Sequence, residues 1–555
     1  MTHSSGPRTG RPPTRGSRGM IATSHALASA SGHDVLRRGG SAVDAAIAAN
    51  AVLCVLYPHM AGLGGDGFWL IADPAESYKV SALNASGPAS AEATIDFYRQ
   101  QGHTEAIPPR GPLAALTVPG AVDGWREAHQ HYGKLEWGGL FVDAIYYARN
   151  GFPVANSLAE WTVKDRELLQ KYPSTANIYM PSGHPPRAGE QLINPDLADS
   201  FQRLAEFGPR QGFYEGETAT RISQALGTQG SPLREEDFAS FYAQWVDPIS
   251  VNYRGYTAYE FPPNTQGFTA LQILNLIEGY DLCSFGENSA DYFHHMAETV
   301  KLAFADRNAW LTDPEFIDIP LVRLLDKTYA DERRKLIDSQ QAMVMEDVSP
   351  GITPDNGMAG KSGHGGDTCY FCAVDSDGLA VSVIQSIYHD YGSVETAGET
   401  GIILQNRGSF FSLEENHPNR LEPGKRTFHT LIPAMLYHKG KPYLVYGTMG
   451  GEGQPQTHAA MVSRIVDFGY DVQQAIEAPR WLMGRTWGTK IQDLALEGRI
   501  SDLVVNELKR RGQPVKPVED WNDNMGHAQA IRLNPQTGFL EGGADPRGDG
   551  AATGY

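Results

Sequence analysis

GHGGDTCYFCAVDSDGLAVSVIQSIYH, residues Gly363 to His389, runs a glycine loop straight into a strand that begins with a threonine. Cys369 to Asp375 is rich in strand formers. Ser376-Asp377-Gly378 reads as a three-residue turn with glycine where a left-handed residue is wanted. Leu379 to Ser386 then reads as the return strand. If Asp375 pairs with Leu379, Thr368 falls opposite Ser386 on the same face, with Cβ atoms about 5 Å apart. Two facing hydroxyls can amount to no more than a cross-strand hydrogen bond. The glycines add something: Gly363, Gly365 and Gly366 bare the backbone just upstream and let it take strained torsions.

A hydroxyl at such a junction can attack the carbonyl of Asp367. Hydrolysis after that N-to-O acyl shift leaves Thr368 as a new N-terminus, making Asp367-Thr368 the expected cleavage site. A free α-amine has a pKa near 8, so it can serve as base to the hydroxyl on its own residue. Ser386 is expected to hydrogen-bond the Thr368 hydroxyl. Acyl transfer also needs donors aimed at the developing oxyanion. Gly450 and Gly451, in YGTMGGEGQPQT (446–457), follow a strand-like run and can offer bare backbone N–H groups.

Around this segment the chain is that of a large globular protein. Its 555 residues, 41% of them hydrophobic, suffice for a sizeable core. A net charge of −19 argues against nucleic acid as a partner. Four cysteines make no disulfide framework, which fits a reducing, cytoplasmic setting. No run of 18 apolar residues suggests a membrane span. Residues 1–18 are arginine-rich without an apolar stretch and read as a disordered tail.

Helical spacing marks Ala26–Leu36 and Ser41–Leu56, and DGFWLIAD (66–73) reads as a buried strand. Residues 137–310 are mainly helical, with strands at 248–260. Residues 326–366 turn polar and loop-rich. Strands are then expected at 368–385, 401–404, 431–437 and 443–446, helices at 458–468 and 472–478, and strands near 491–496 and 528–532. Strands and helices cluster rather than alternate, which favours an α+β layered sandwich.

The chain resembles the gamma-glutamyltransferase family of N-terminal nucleophile hydrolases. The matching segments span nearly everything from Gly19: GGSAVDAAIAAN (39–50), GLGGDGFWLI (62–71), TVPGAVDGW (117–125), DTCYF, GKRTFHTLIPAM (424–435), TMGGEGQPQ (448–456) and DPRGDGAATGY (545–555). The resemblance implies a four-layer αββα sandwich made as one precursor. A large subunit (19–367) and a small subunit (368–555) would form one intertwined domain, with no metal and no cofactor. Thr368 matches the family nucleophile, Ser386 its second threonine, and Gly450 and Gly451 the oxyanion glycines. His429-Thr430 stand where a pair of serines helps hold the substrate carboxyl group.

The departures bear on substrate. The segment ALNASGPAS (82–90) lacks the family's carboxylate-binding arginine, and Tyr388 replaces an asparagine. A glutamine and an aspartate that hold the amino-acid head are Arg407 and Phe410 here. Losing the aspartate removes the partner of an ammonium, and Arg407 adds a fork suited to a carboxylate. SIYHDYGS, QNRG and FHTL look like the oxamate amidohydrolase branch. The expected substrate is therefore a small carboxylate-bearing amide such as oxamate, held by Arg407 with Tyr388, His389 or Thr430. An acceptor amine in place of water would make the reaction an acyl transfer. Two alternatives stay open: a gamma-glutamyltransferase or glutathione hydrolase, and an uncleaved homologue that only binds. The sequence leaves room for a homo-oligomer.

Three other motifs are set aside. GLGGDG (62–67) has a helix before it and a strand after it, the reverse of a dinucleotide loop. Cys369 and Cys372 should point to opposite faces of a strand. His294, His295 and Glu298 share a helix but lack a third ligand signal.

Overall fold

The computed structural model describes residues 10–354, 367–484 and 492–555. Two seven-stranded sheets, antiparallel throughout, pack face to face. The first runs Thr14–Gly16, Leu540–Ala544, Ala528–Leu533, Lys441–Thr448, Ala434–His438, Tyr256–Glu260, Ile249–Tyr253. The second runs Ala551–Gly554, Met20–Thr23, Asp367–Val374, Ala380–Tyr388, Asp66–Asp73, Lys79–Ala85, Gln244–Val246. Phe68, Leu70, Tyr370, Cys372 and Ile384 from the second sheet meet Met435, Val445 and Ile531 from the first, and Phe261 just beyond its strand Tyr256–Glu260, in one buried layer.

Each outer face is covered by helices. Ala42–Leu56 is buried at every residue and lies against Cys369, Phe371 and Val383 of the second sheet. Its alanines let it approach the sheet closely, and Ser41 and Asp44 close its N-terminus as a capping box. Gly267–Ile277, Ala290–Trp310 and Gln454–Val466 cover the first sheet. The result is the expected αββα sandwich. Cys369 and Cys372 do face opposite layers, one toward the helices and one between the sheets.

Some expectations fail. Part of the stretch read as a disordered tail is ordered: Thr14–Gly16 forms an edge strand on Leu540–Ala544, and Arg11 donates to the Ala544 carbonyl. Residues 401–404 form no strand, because Ile403 and Leu404 make only single bridges to Thr396 and Gly64. The strand expected from 431 starts at Ala434, since the backbone before it bonds side chains and loops instead: Gln454 takes the Ile432 N–H and Gln266 the Thr430 carbonyl. The helix Lys327–Arg334 sits in the stretch read as loop. Gly363, Gly365 and Gly366 lie outside the described residues.

Candidate active site

The hairpin expected around Gly378 is present. Asp375 donates its N–H to Leu379, Gly378 has φ +91°, and the pairing runs from Val374–Ala380 up to Cys369–Gln385. There the register shifts. Asp367 pairs with Tyr388, leaving Thr368 in a bulge rather than squarely opposite Ser386. The expected Thr368–Ser386 hydrogen bond is therefore absent from this uncleaved chain. The Thr368 hydroxyl is fully buried and has no partner among the described residues. An unmet buried hydroxyl costs about 1–3 kcal/mol, which suits a group held for chemistry.

Ser386 turns its hydroxyl elsewhere. It accepts the Tyr388 N–H at 2.7 Å and lies 3.5 Å from Arg407 Nη2. Tyr388 holds φ +82°, a strained value for an aromatic residue, and its ring packs on three neighbours. His389 lies 4.2 Å away, Phe410 4.5 Å, and the Arg407 guanidinium 4.2 Å over its face.

Arg407 is the buried cation of the site. It donates to Thr430 Oγ1 at 3.2 Å, and its Nε has no partner among the described residues. Among the described residues no carboxylate pairs with it directly. Burial lowers its pKa to about 10, so it stays charged at neutral pH. His389, half-buried, is oriented by Asn406, which accepts its N–H and meets its Nδ1 at 3.0 Å. Its neighbour Asp390 pairs with Arg110 at 2.8 Å, so no serine-type triad forms with Ser386.

Gly450 and Gly451 take φ +124° and +53°, values that favour glycine, just after the strand Lys441–Thr448. Among the described residues neither N–H meets an acceptor. The loop is buttressed from below. Gln266 donates to the carbonyls of Gly451 (2.9 Å) and Thr430 (2.8 Å), Arg307 donates to Gln266 (3.0 Å), and Arg307 pairs with Glu452 at 2.7 Å. One side-chain amide thus ties the glycine loop to the residue that touches Arg407.

Asp66, Gln266, Arg307 and Glu452 were not singled out from sequence. Asp66 had a visible signal, a lone carboxylate inside the otherwise apolar run GLGGDGFWLI. It is fully buried, directly opposite Ser386 in the strand register, with His429 Nε2 at 3.3 Å. Burial pushes its pKa up to about 7, although the Gly87 and Gly120 amides and Arg407 favour its charge. Burial and Arg407 hold His429 well below its ordinary value, so the contact is a neutral imidazole facing a carboxyl group rather than an ion pair. Among the described residues no cluster of His, Cys, Asp or Glu has the makings of a metal site. His294 is occupied by Asp338 and Gln513, and Glu298 by Lys301.

Two stacked antiparallel sheets between helical layers, with a threonine at the head of a central strand, define the N-terminal nucleophile hydrolase class. The gamma-glutamyltranspeptidase family profile matches residues 28–555, and the chain belongs to that family. It is 47% identical to the "Glutathione hydrolase-like YwrD proenzyme" of Bacillus subtilis over 97% of this chain and 99% of that one. It is 41% identical to the "Oxamate amidohydrolase proenzyme" of Klebsiella pneumoniae over 97% and 98%. The crystal structure of cephalosporin acylase from Bacillus halodurans superposes with a TM-score of 0.91 at 35% identity, covering 100% of this chain and 99% of that one. The protein is an amidohydrolase proenzyme of this family.

Proposed function

We propose that the chain cleaves itself before Thr368 and hydrolyses small amides that carry a carboxylate and no ammonium, oxamate being the type. The observation that carries this reading is Arg407. A guanidinium buried to 1% exposure, with two hydroxyls around it and no direct anionic partner among the described residues, is a receptor waiting for an anion. Phe410 supplies an apolar wall beside it, 5.5 Å from the guanidinium, where an ammonium would find no acceptor.

In this reading the Thr368 hydroxyl attacks the amide carbon and the Thr368 amine takes its proton. The Gly450 and Gly451 N–H groups receive the oxyanion. The amine returns the proton to the leaving nitrogen, and water then resolves the acyl-enzyme. Arg407 and Thr430 hold the substrate carboxylate, and the Tyr388 ring keeps the guanidinium in plane.

The second reading, hydrolysis of gamma-glutamyl amides, is favoured by the 47% identity with the glutathione hydrolase-like protein. Intact mass under denaturing conditions tests cleavage first: two species, the smaller beginning at Thr368, are expected. Rates on oxamate and on a gamma-glutamyl amide then separate the readings. Turnover of the second alone would overturn the carboxylate-only proposal, and a single uncleaved species would overturn a mechanism that depends on the Thr368 amine.

A further inference from the structure

Asp66 plays no part in that chemistry, yet it is among the most constrained groups of the site. Its Oδ1 accepts the backbone N–H of Gly87 (3.1 Å) and Gly120 (3.0 Å) and is thereby committed to acceptance. Its Oδ2 faces His429 Nε2. Among the described residues, Asp66 also feels the Arg407 guanidinium and the Gln405 amide; Ser386 is its strand partner, and Tyr214, whose hydroxyl donates to the Pro119 carbonyl, is close enough to feel its charge. The His429 ring is pinned edge-on against Phe68 at 4.7 Å, and its Nδ1 is buried without a partner among the described residues.

This geometry allows two states. With Asp66 ionised, His429 Nε2–H donates to Oδ2 and Nδ1 is a bare acceptor. With one proton added at Nδ1, the Nε2 proton moves to Oδ2. Asp66 is then neutral and donates back to Nε2, and Nδ1–H has become a donor. The imidazole is neutral in both states, and the pair has gained one proton.

We propose that Asp66 and His429 form a proton-coupled partner to Arg407: a substrate carboxylate arriving at Arg407 brings one proton onto the pair and turns His429 Nδ1 from acceptor to donor. The inference rests on the carboxylate reading of Arg407. Arg407 and Asp66 feel each other's charge and balance it. A second anion would leave the buried site with a net negative charge, and like charges disfavour each other's ionised form. A proton on Asp66 restores the balance, and its pKa of about 7 puts the exchange within reach of neutral solution. His429 is thereby a specificity-determining group, with Asp66 positioning its proton.

The test is calorimetric titration of the processed protein with oxalate, a dicarboxylate with no amide to cleave, in two buffers of different ionisation enthalpy at pH 7.5. Net proton uptake is expected for the wild type, with affinity falling up to tenfold per pH unit above pH 7. Asp66→Asn should bind with little pH dependence and lose that uptake, leaving only what the Thr368 amine contributes. A second readout needs no variant: the ¹⁵N signal of His429 Nδ1 should move from the unprotonated to the protonated range when oxalate is added. Equal proton counts in wild type and Asp66→Asn, or an unmoved Nδ1 signal, would overturn the inference while leaving the carboxylate pocket intact. Binding that is indifferent to Arg407→Ala, or no binding at all, would overturn both.

Discussion

The two ends of one hairpin are built to opposite rules. At the turn, the Asp375 carboxylate is fully engaged: it accepts the N–H groups of Asp377, Leu379 and Ala42, and Lys134 sits 3.6 Å away. At the other end the ladder slips by one residue, Tyr388 takes a strained torsion, and the Thr368 hydroxyl and Arg407 Nε go unmet among the described residues. One end secures the strands, and the other spends part of that stability on reactive groups. Substitutions at the turn should therefore change stability and spare turnover. Those at the open end should do the reverse.

The largest effect is expected at Thr368. Thr368→Ala should abolish both cleavage and turnover, leaving one 60.5 kDa band on a denaturing gel and an unfolding temperature that does not fall; a cleaved product would put the nucleophile elsewhere. Arg407→Ala comes next. Losing a buried partner of a charged group costs about 2–5 kcal/mol, so kcat/KM on oxamate should fall on the order of 10²-fold to 10³-fold. A gamma-glutamyl amide should lose far less, and equal losses on both would remove Arg407 from the carboxylate's side.

Gln266→Ala tests the tie beneath the glycine loop. Displacing oxyanion donors by an ångström costs about 10²-fold, so kcat should drop with KM nearly unchanged; a change in KM alone would deny the tie its role. At the turn, Asp375→Ala should lower stability by about 1–3 kcal/mol, read by denaturant unfolding, with kcat within twofold. Gly378→Ala is the smallest, about 1–2 kcal/mol from a left-handed alanine, and again without kinetic consequence. A kinetic effect of either turn variant would break the contrast between the two ends.

Much of this was legible in the sequence, and the exceptions have physical causes. The hairpin could be read because Gly378 fixes the turn and the turn fixes the register. It failed only at Thr368, where a bulge obeys tertiary packing that no alternation encodes. The strand Asp66–Asp73 was found from its apolar run, but the weight of Asp66 was not, because a carboxylate's role depends on which backbone amides surround it. Gln266 and Arg307 lie far from the hairpin in sequence and carry no spacing signal. Thr14–Gly16, in an arginine- and proline-rich stretch, becomes a strand only because Leu540–Ala544 offers an edge. Arg407, by contrast, was visible because the resemblance places a glutamine of the glutamyltransferases at that position.

Both sheets draw strands from either side of the Asp367–Thr368 bond. Thr14–Gly16 is zipped to Leu540–Ala544 and Met20–Thr23 to Ala551–Gly554, while Met20–Thr23 also borders the strand that carries Thr368. Breaking that bond therefore releases nothing. Yet it changes the order of the folding reaction, because an uncut chain can return from the unfolded state by itself, whereas two pieces must first find each other in solution. Recovery after unfolding should grow worse on dilution for the processed form alone, so the lifetime of the mature protein is set by how seldom it opens rather than by how readily it refolds.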